Sequence, residues 1–102
     1  MAQPLSPAQR RHLRALAHPL KPVILLGGKG ATEPVIEELR QALEHHELVK
    51  VRLCAEDREG RDAQARALCE ATGAALVQRI GHVAVLFRRS TERPTIVLPR
   101  NP

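Results

Sequence analysis

The residues best suited to chemistry are Gly27, Gly28, Lys29 and Gly30, with Thr32 two places on, and the chemistry they suit is holding an anion. Glycine lets the backbone take positive φ and lets a bulky group come close. Lys29 sets a full positive charge in the middle of the bend. Thr32 stands where a helix would be capped, and a helix starting there adds unpaired N–H groups and a partial positive charge. The combination points to a bound phosphate. Neither common nucleotide motif fits. A G-x-x-x-x-G-K-[ST] loop would need glycine at Val23 and a hydroxyl at Gly30. The dinucleotide pattern G-x-G-x-x-G would need a small residue at Glu33. G-x-x-G alone remains, and the same residues also serve a plain strand-to-helix turn.

The flanking stretches can present such a loop. Val23 to Leu26 reads as a buried strand running into the glycines, and Val35, Ile36, Leu39 and Leu43 recur at helical spacing between about Glu33 and His45. Upstream, Ser6, Pro7 and Gln9 form a capping box with proline in the first turn. In the helix they start, Leu13, Leu16 and Ala17 make the inner stripe and Arg10, Arg11 and Arg14 the wet side. The prolines of His18-Pro19-Leu20-Lys21-Pro22 stop that helix.

Downstream, Val51 and Leu53 alternate with Lys50 and Arg52 as a half-buried strand. Asp57 caps a third helix from Arg58 to Thr72, closed by Gly73, with Ala63, Ala67, Leu68 and Ala71 expected inside. Glu37, Glu38 and Glu44 of the second helix are expected to face water. Ala75 to Ile80 and Val83 to Arg88 form a hairpin about Gly81-His82, with Leu76 opposite Phe87 and with Arg79 and Arg88 on a shared face. Arg89 follows, and the tail from Thr95 to Arg100 is expected along a sheet edge. The order α-β-α-β-α-β-β defines an α/β fold in a single domain, a four-stranded mixed sheet with three helices.

The chain of 102 residues suits one core, with order expected from about residue 5 to about residue 98. Its net charge of +5 and pI of about 10.2 are unevenly spread. Residues 1–30 hold Arg10, Arg11, Arg14, Lys21 and Lys29 and no acid. Residues 31–72 hold ten acids against six bases, and residues 73–102 five arginines against Glu92. If the two ends meet in the fold, they make one positive face opposite a negative one, the footprint of a polyanion partner. A basic excess also serves solubility alone.

Several classes are disfavoured. No apolar run of about 18 residues is present to span a membrane. The first residues lack the charged start and apolar core of a secretory signal, so a cytoplasmic protein is expected. Cys54 and Cys69 lie apart from any C-x-x-C or histidine spacing; reduced thiols are expected, with a disulfide left open. No nucleophile–base pair or ligand set can be assembled, so no enzyme, cofactor or metal is expected. Asp57, Glu59 and Asp62 read as cap and dipole partners at a helix start.

Taken in order, these stretches resemble the CRM domain (chloroplast RNA splicing and ribosome maturation), and the chain is most similar to its stand-alone bacterial YhbY-type members. The likeness runs from Leu13 to Arg100. It rests on Leu16-Ala17-His18-Pro19-Leu20-Lys21-Pro22, Leu26-Gly27-Gly28-Lys29-Gly30 and Thr32-Glu33, then on residues 42–51, Glu56-Asp57-Arg58-Glu59, Thr72-Gly73-Ala74, Ile80-Gly81 and Leu98-Pro99-Arg100. The resemblance implies an RNA-binding domain whose G-x-x-G loop lies beside a basic surface, and a fold like the C-terminal domain of a translation initiation factor. It also implies association with precursors of the large ribosomal subunit. Two positions depart from the usual pattern. Lys29 replaces a residue that is often polar and uncharged, and Ala31 a bulkier apolar one.

The expected RNA-binding residues are therefore Gly27, Gly28, Lys29, Gly30 and Thr32, with Arg10, Arg11, Arg14, Lys21, Arg79, Arg88 and Arg89. The expected partner is ribosomal RNA, bound by a monomer. Phe87 is the one aromatic residue and falls in the core, so bases lack an aromatic platform and recognition runs through phosphates, sugars and RNA shape. A duplex-DNA binder and a protein-interaction module using the acidic middle remain as alternative readings.

Overall fold

Local capping chemistry sets most helix ends. In the computed structural model, which describes residues 5–100, the Ser6 hydroxyl accepts from the Gln9 N–H and the Gln9 side chain from the Ser6 N–H, opening α1 (Pro7–Ala17). Asp57 accepts from the Gly60 N–H to open α3 (Arg58–Thr72), which Gly73 closes. A Cβ on Gly60 would lie 2.6 Å from that Asp57 oxygen and 2.8 Å from Ala55 Cβ, so the capped turn excludes any larger residue there. Between them run β1 (Ile24–Leu25), α2 (Glu33–His46) and β2 (Leu48–Arg52), and β3 (Ala75–Ile80) and β4 (Val83–Phe87) complete the order expected from the sequence.

The four strands form one sheet in the order β1-β2-β4-β3, with β1 parallel to β2 and the other pairs antiparallel. Side chains alternate across it, so each face carries its own apolar cluster. On one face Val49, Val51, Ala84 and Leu86 pack under α2 and α3 with Leu39, Leu43, Ala65 and Leu68. On the other, Leu48, Val77, Val85 and Phe87 pack under α1 with Leu13 and Ala17. Ile96 and Leu98 of the tail join this second cluster, and the Gln9 side-chain amide donates to Pro99 O at 3.1 Å. The first and last stretches of the described residues therefore meet on the α1 face.

Five details differ from the sequence reading. The strand before the glycines is an edge strand: Ile24 and Leu26 are buried, while Val23 and Leu25 are open. Leu16 is exposed, because it borders the open groove beside Leu20 and Val23, where no element covers that side of the α1 stripe. In α3 the inner residues are Ala65, Leu68 and Thr72, and Ala63 and Ala67 face solvent. A bulge between Leu76 and Gln78 shifts the hairpin register, so Leu76 pairs with Leu86, Ala75 with Phe87, and Val77 turns to the α1 side. The tail crosses the α1 face and does not form a sheet edge strand.

Candidate nucleic-acid interface

The glycine loop leaves β1 at the end of the sheet where β2 also ends and where the Gly81-His82 turn lies. Gly27 O accepts from the Gly30 N–H at 2.9 Å, which closes a tight turn with Gly28 and the exposed Lys29 at its tip. Gly30 holds φ +72, a left-handed backbone that strains other residues, and its Cα faces Gln64 of α3. Gln64 in turn accepts from the Cys54 and Ala55 N–H groups and donates to Cys54 Sγ, tying the segment after β2 to α3 beneath the loop.

Gly27 and Gly28 behave differently. Neither has positive φ, and a Cβ on either would meet nothing within 4 Å. The fold itself thus has no steric or conformational need for glycine at these two positions. Glycine at both positions leaves the turn backbone without side-chain cover, a geometry that lets a bulky group come close. Thr32 is the N-cap of α2 by position, yet its hydroxyl makes no capping bond. Glu33 in the first turn and Pro34, which has no N–H, limit what that helix end can offer an anion. Lys29 and the turn backbone are the stronger contributors.

The arginines divide between the two sides of the sheet. Arg11 and Arg14 are exposed on α1, and Lys21 is exposed in the connector after it. Lys21 borders a shallow groove of about 420 Å³ whose lining includes Leu20, Val23 and Lys50. Lys50 Nζ donates to Leu20 O at 2.9 Å, which pins the connector to the sheet. Arg10 is half-buried, its guanidinium donating to Leu76 O and Val77 O at the β3 bulge. It fastens α1 to the sheet.

Arg79 and Arg88 do share a face, but it is the face under α2 and α3. Arg79 is ion-paired with Asp62 and donates to Gly81 O at 2.8 Å. Arg88 donates to Thr72 O at 2.9 Å and to Arg40 O at 3.3 Å, clamping α3 to α2. Both differ from the surface cations expected from the sequence: alternation along each strand turns them inward, and they serve the structure. Arg88 and the exposed Arg89 also lie at the end of the sheet remote from the glycine loop, where the Arg88 N–H donates to Glu47 O.

Arg52, by contrast, reads from the sequence only as the polar side of a strand. It is exposed, pairs with Leu25, and its carbonyl accepts from the Leu26 N–H at 2.9 Å, directly beside the loop. The Lys50/Arg52 alternation was the sequence signal that could have marked it. On the α1 face, α1, the connector, the outward positions of β1 and β2, and residues 95–100 carry Arg10, Arg11, Arg14, Lys21, Lys50, Arg52 and Arg100 and no acid. Apart from Glu47 and Glu92, every acid lies on α2, on α3 or in the two residues preceding α3.

Residues 5–88 match the CRS1/YhbY (CRM) domain, and the chain belongs to that family. It is similar to a Haemophilus influenzae protein named as an RNA-binding protein, with 49% identity over 94% of this chain and 96% of that one. It is also similar to Bacillus subtilis YqeI, whose name proposes RNA binding, with 37% identity over 93% of this chain and 99% of the other. The solution structure of a Staphylococcus aureus protein, again proposed by name to bind RNA, superposes with a TM-score of 0.82. It is 38% identical and covers 94% of this chain and all of that one. Among the described residues no helix is long and apolar enough to cross a membrane.

Proposed function

We propose that this domain binds RNA, gripping the sugar-phosphate backbone with the Gly27–Gly30 turn and Lys29 and carrying the strand across the α1 face past Arg52, Lys21, Arg14 and Arg11. The observation that carries this reading is the glycine pair at Gly27 and Gly28, which the fold does not require and a close-lying phosphate does. The acid-free α1 face supports it electrostatically, and the names of the relatives support RNA as the polyanion. From the family resemblance, the partner is ribosomal RNA in cytoplasmic precursors of the large ribosomal subunit, bound by a monomer.

The test is fluorescence anisotropy with labelled RNA, comparing the native protein with Lys29→Glu. An exposed loop lysine contributes little to stability, so the variant should fold and bind more weakly. Equal affinity would reduce the loop to a turn. A competition with duplex DNA of equal length separates the nucleic acids, and preference for DNA would count against RNA. Crosslinking in cells with the sites mapped tests the ribosomal partner.

A further inference from the structure

The α1 face of the sheet ends in one bare row. Leu25 pairs with Arg52, Arg52 with Val83, and Val83 with Ile80, so four side chains stand side by side across all four strands. The adjacent row, Ile24, Val51, Ala84 and Arg79, points the other way beneath α2 and α3. Leu25 is 65% exposed and Ile80 66%, Arg52 is exposed, and Val83 is half-buried. With strands about 4.8 Å apart, the row is about 14 Å wide. Leu25 precedes Gly27 by two residues, so the row adjoins the proposed phosphate grip.

We infer that this row receives unpaired RNA bases, so that the ligand is a single-stranded or looped segment held by its backbone at the glycine turn. This rests on the reading of the domain as an RNA binder. A base offers an apolar face and a polar edge. Leu25, Val83 and Ile80 cover faces, and the planar guanidinium of Arg52 stacks on a base or bonds its edge. The width suits about two bases. Charge selects the occupant: the charged residues that point outward on the strands of the row, or lie in the glycine turn and the connector before β1, are Arg52, Lys50, Lys29 and Lys21, which complement a polyanion and give an apolar peptide nothing to pair with. A perfect duplex keeps its base faces stacked inside and cannot reach the row.

The test uses the full chain and three labelled probes of about 12 nucleotides: a single strand, its duplex, and the strand with abasic sites. Leu25→Ala combined with Ile80→Ala, checked for folding by circular dichroism, should lose about tenfold in affinity for the single strand and stay within about twofold on the other two. Lys29→Glu should weaken all three. An unchanged single-strand affinity in the double variant, with Lys29→Glu still weakening it, overturns the base row and leaves the backbone grip standing. A neutral Lys29→Glu overturns the grip itself. A double variant that alters sedimentation but not RNA affinity assigns the row to a second copy of the chain and overturns the proposal.

Discussion

The Glu47 carboxylate accepts the Ser90 N–H at 2.8 Å, joining the residue after α2 to a point forty-three positions along the chain. The same carboxylate takes the Thr95 N–H and hydroxyl and the Ile96 N–H. One turn back, Glu44 takes the Ser90 and Thr91 hydroxyls and the Thr91 and Glu92 N–H groups. Two carboxylates thereby anchor the segment that carries Ile96 and Leu98 onto the α1 face.

Glu47 is 1% exposed and holds φ +64, a backbone that non-glycine residues adopt only when their surroundings fix it. Replacing Glu47→Ala strips partners from several buried donors and should cost about 3 kcal/mol, read by urea denaturation followed by circular dichroism. Backbone protection at Ser90, Thr95 and Ile96 should fall first in hydrogen exchange.

The same pair sets an acid limit. Hydrogen bonds from the Ser90 hydroxyl and then the Thr91 N–H and hydroxyl lower the Glu44 pKa from 4.5 to about 2. For Glu47, burial pushes the carboxyl up, but the Ser90, Ile96 and Thr95 hydrogen bonds together outweigh it and leave the pKa lowered. A folded pKa below the unfolded one means stabilisation that is complete above the unfolded value and is lost as pH falls through the folded value. Stability should therefore decline between pH 4.5 and about 2, and Glu44→Gln should flatten that decline in acid titrations of the melting temperature.

The glycines of the loop should separate by role. Gly28→Ala should change stability by less than about 0.5 kcal/mol and weaken RNA binding. Gly30→Ala, forced into a left-handed backbone, should cost about 1 kcal/mol in stability. Thermal melts and anisotropy on the two variants check both statements. A Gly28→Ala protein with native affinity would mean that nothing approaches the turn closely.

Salt should separate the arginines. Six exposed cations lie on the loop and the α1 face: Arg11, Arg14, Lys21, Lys29, Arg52 and Arg100. If about six phosphates are neutralised, the log–log salt slope is about −4 on a single strand and about −5 on a duplex. Lys29→Ala should make the slope shallower by about 0.7 to 0.9. Arg88→Ala should leave it unchanged and instead cost about 1–2 kcal/mol in stability through the Thr72 and Arg40 carbonyls it abandons.

Local signals in the sequence were sufficient for element order and helix starts, because a capping box at Ser6 and Gln9, the Asp57 cap and the Gly73 stop act within one turn of chain. Signals that depend on distant partners were not legible. Periodicity at Val23 to Leu26 cannot tell an edge strand from a central one, and nothing near Leu76 announces the bulge. Arg10, Arg79 and Arg88 look like Arg11 and Arg14 until their partners are known, and those partners lie sixty-six residues away from Arg10, seventeen from Arg79, and sixteen and forty-eight from Arg88. Glu44 was expected in water for the same reason: Ser90 and Thr91 are remote in sequence.

The separation of cations over α1 from acids over α2 and α3 makes the molecule an electric dipole. Any polyanion turns it before touching it, so productive encounters are enriched and association quickens most at low ionic strength. The rear is net acidic, with nine acids against four arginines on α2, α3 and the two residues before α3, and so disfavours a second polyanion on that side.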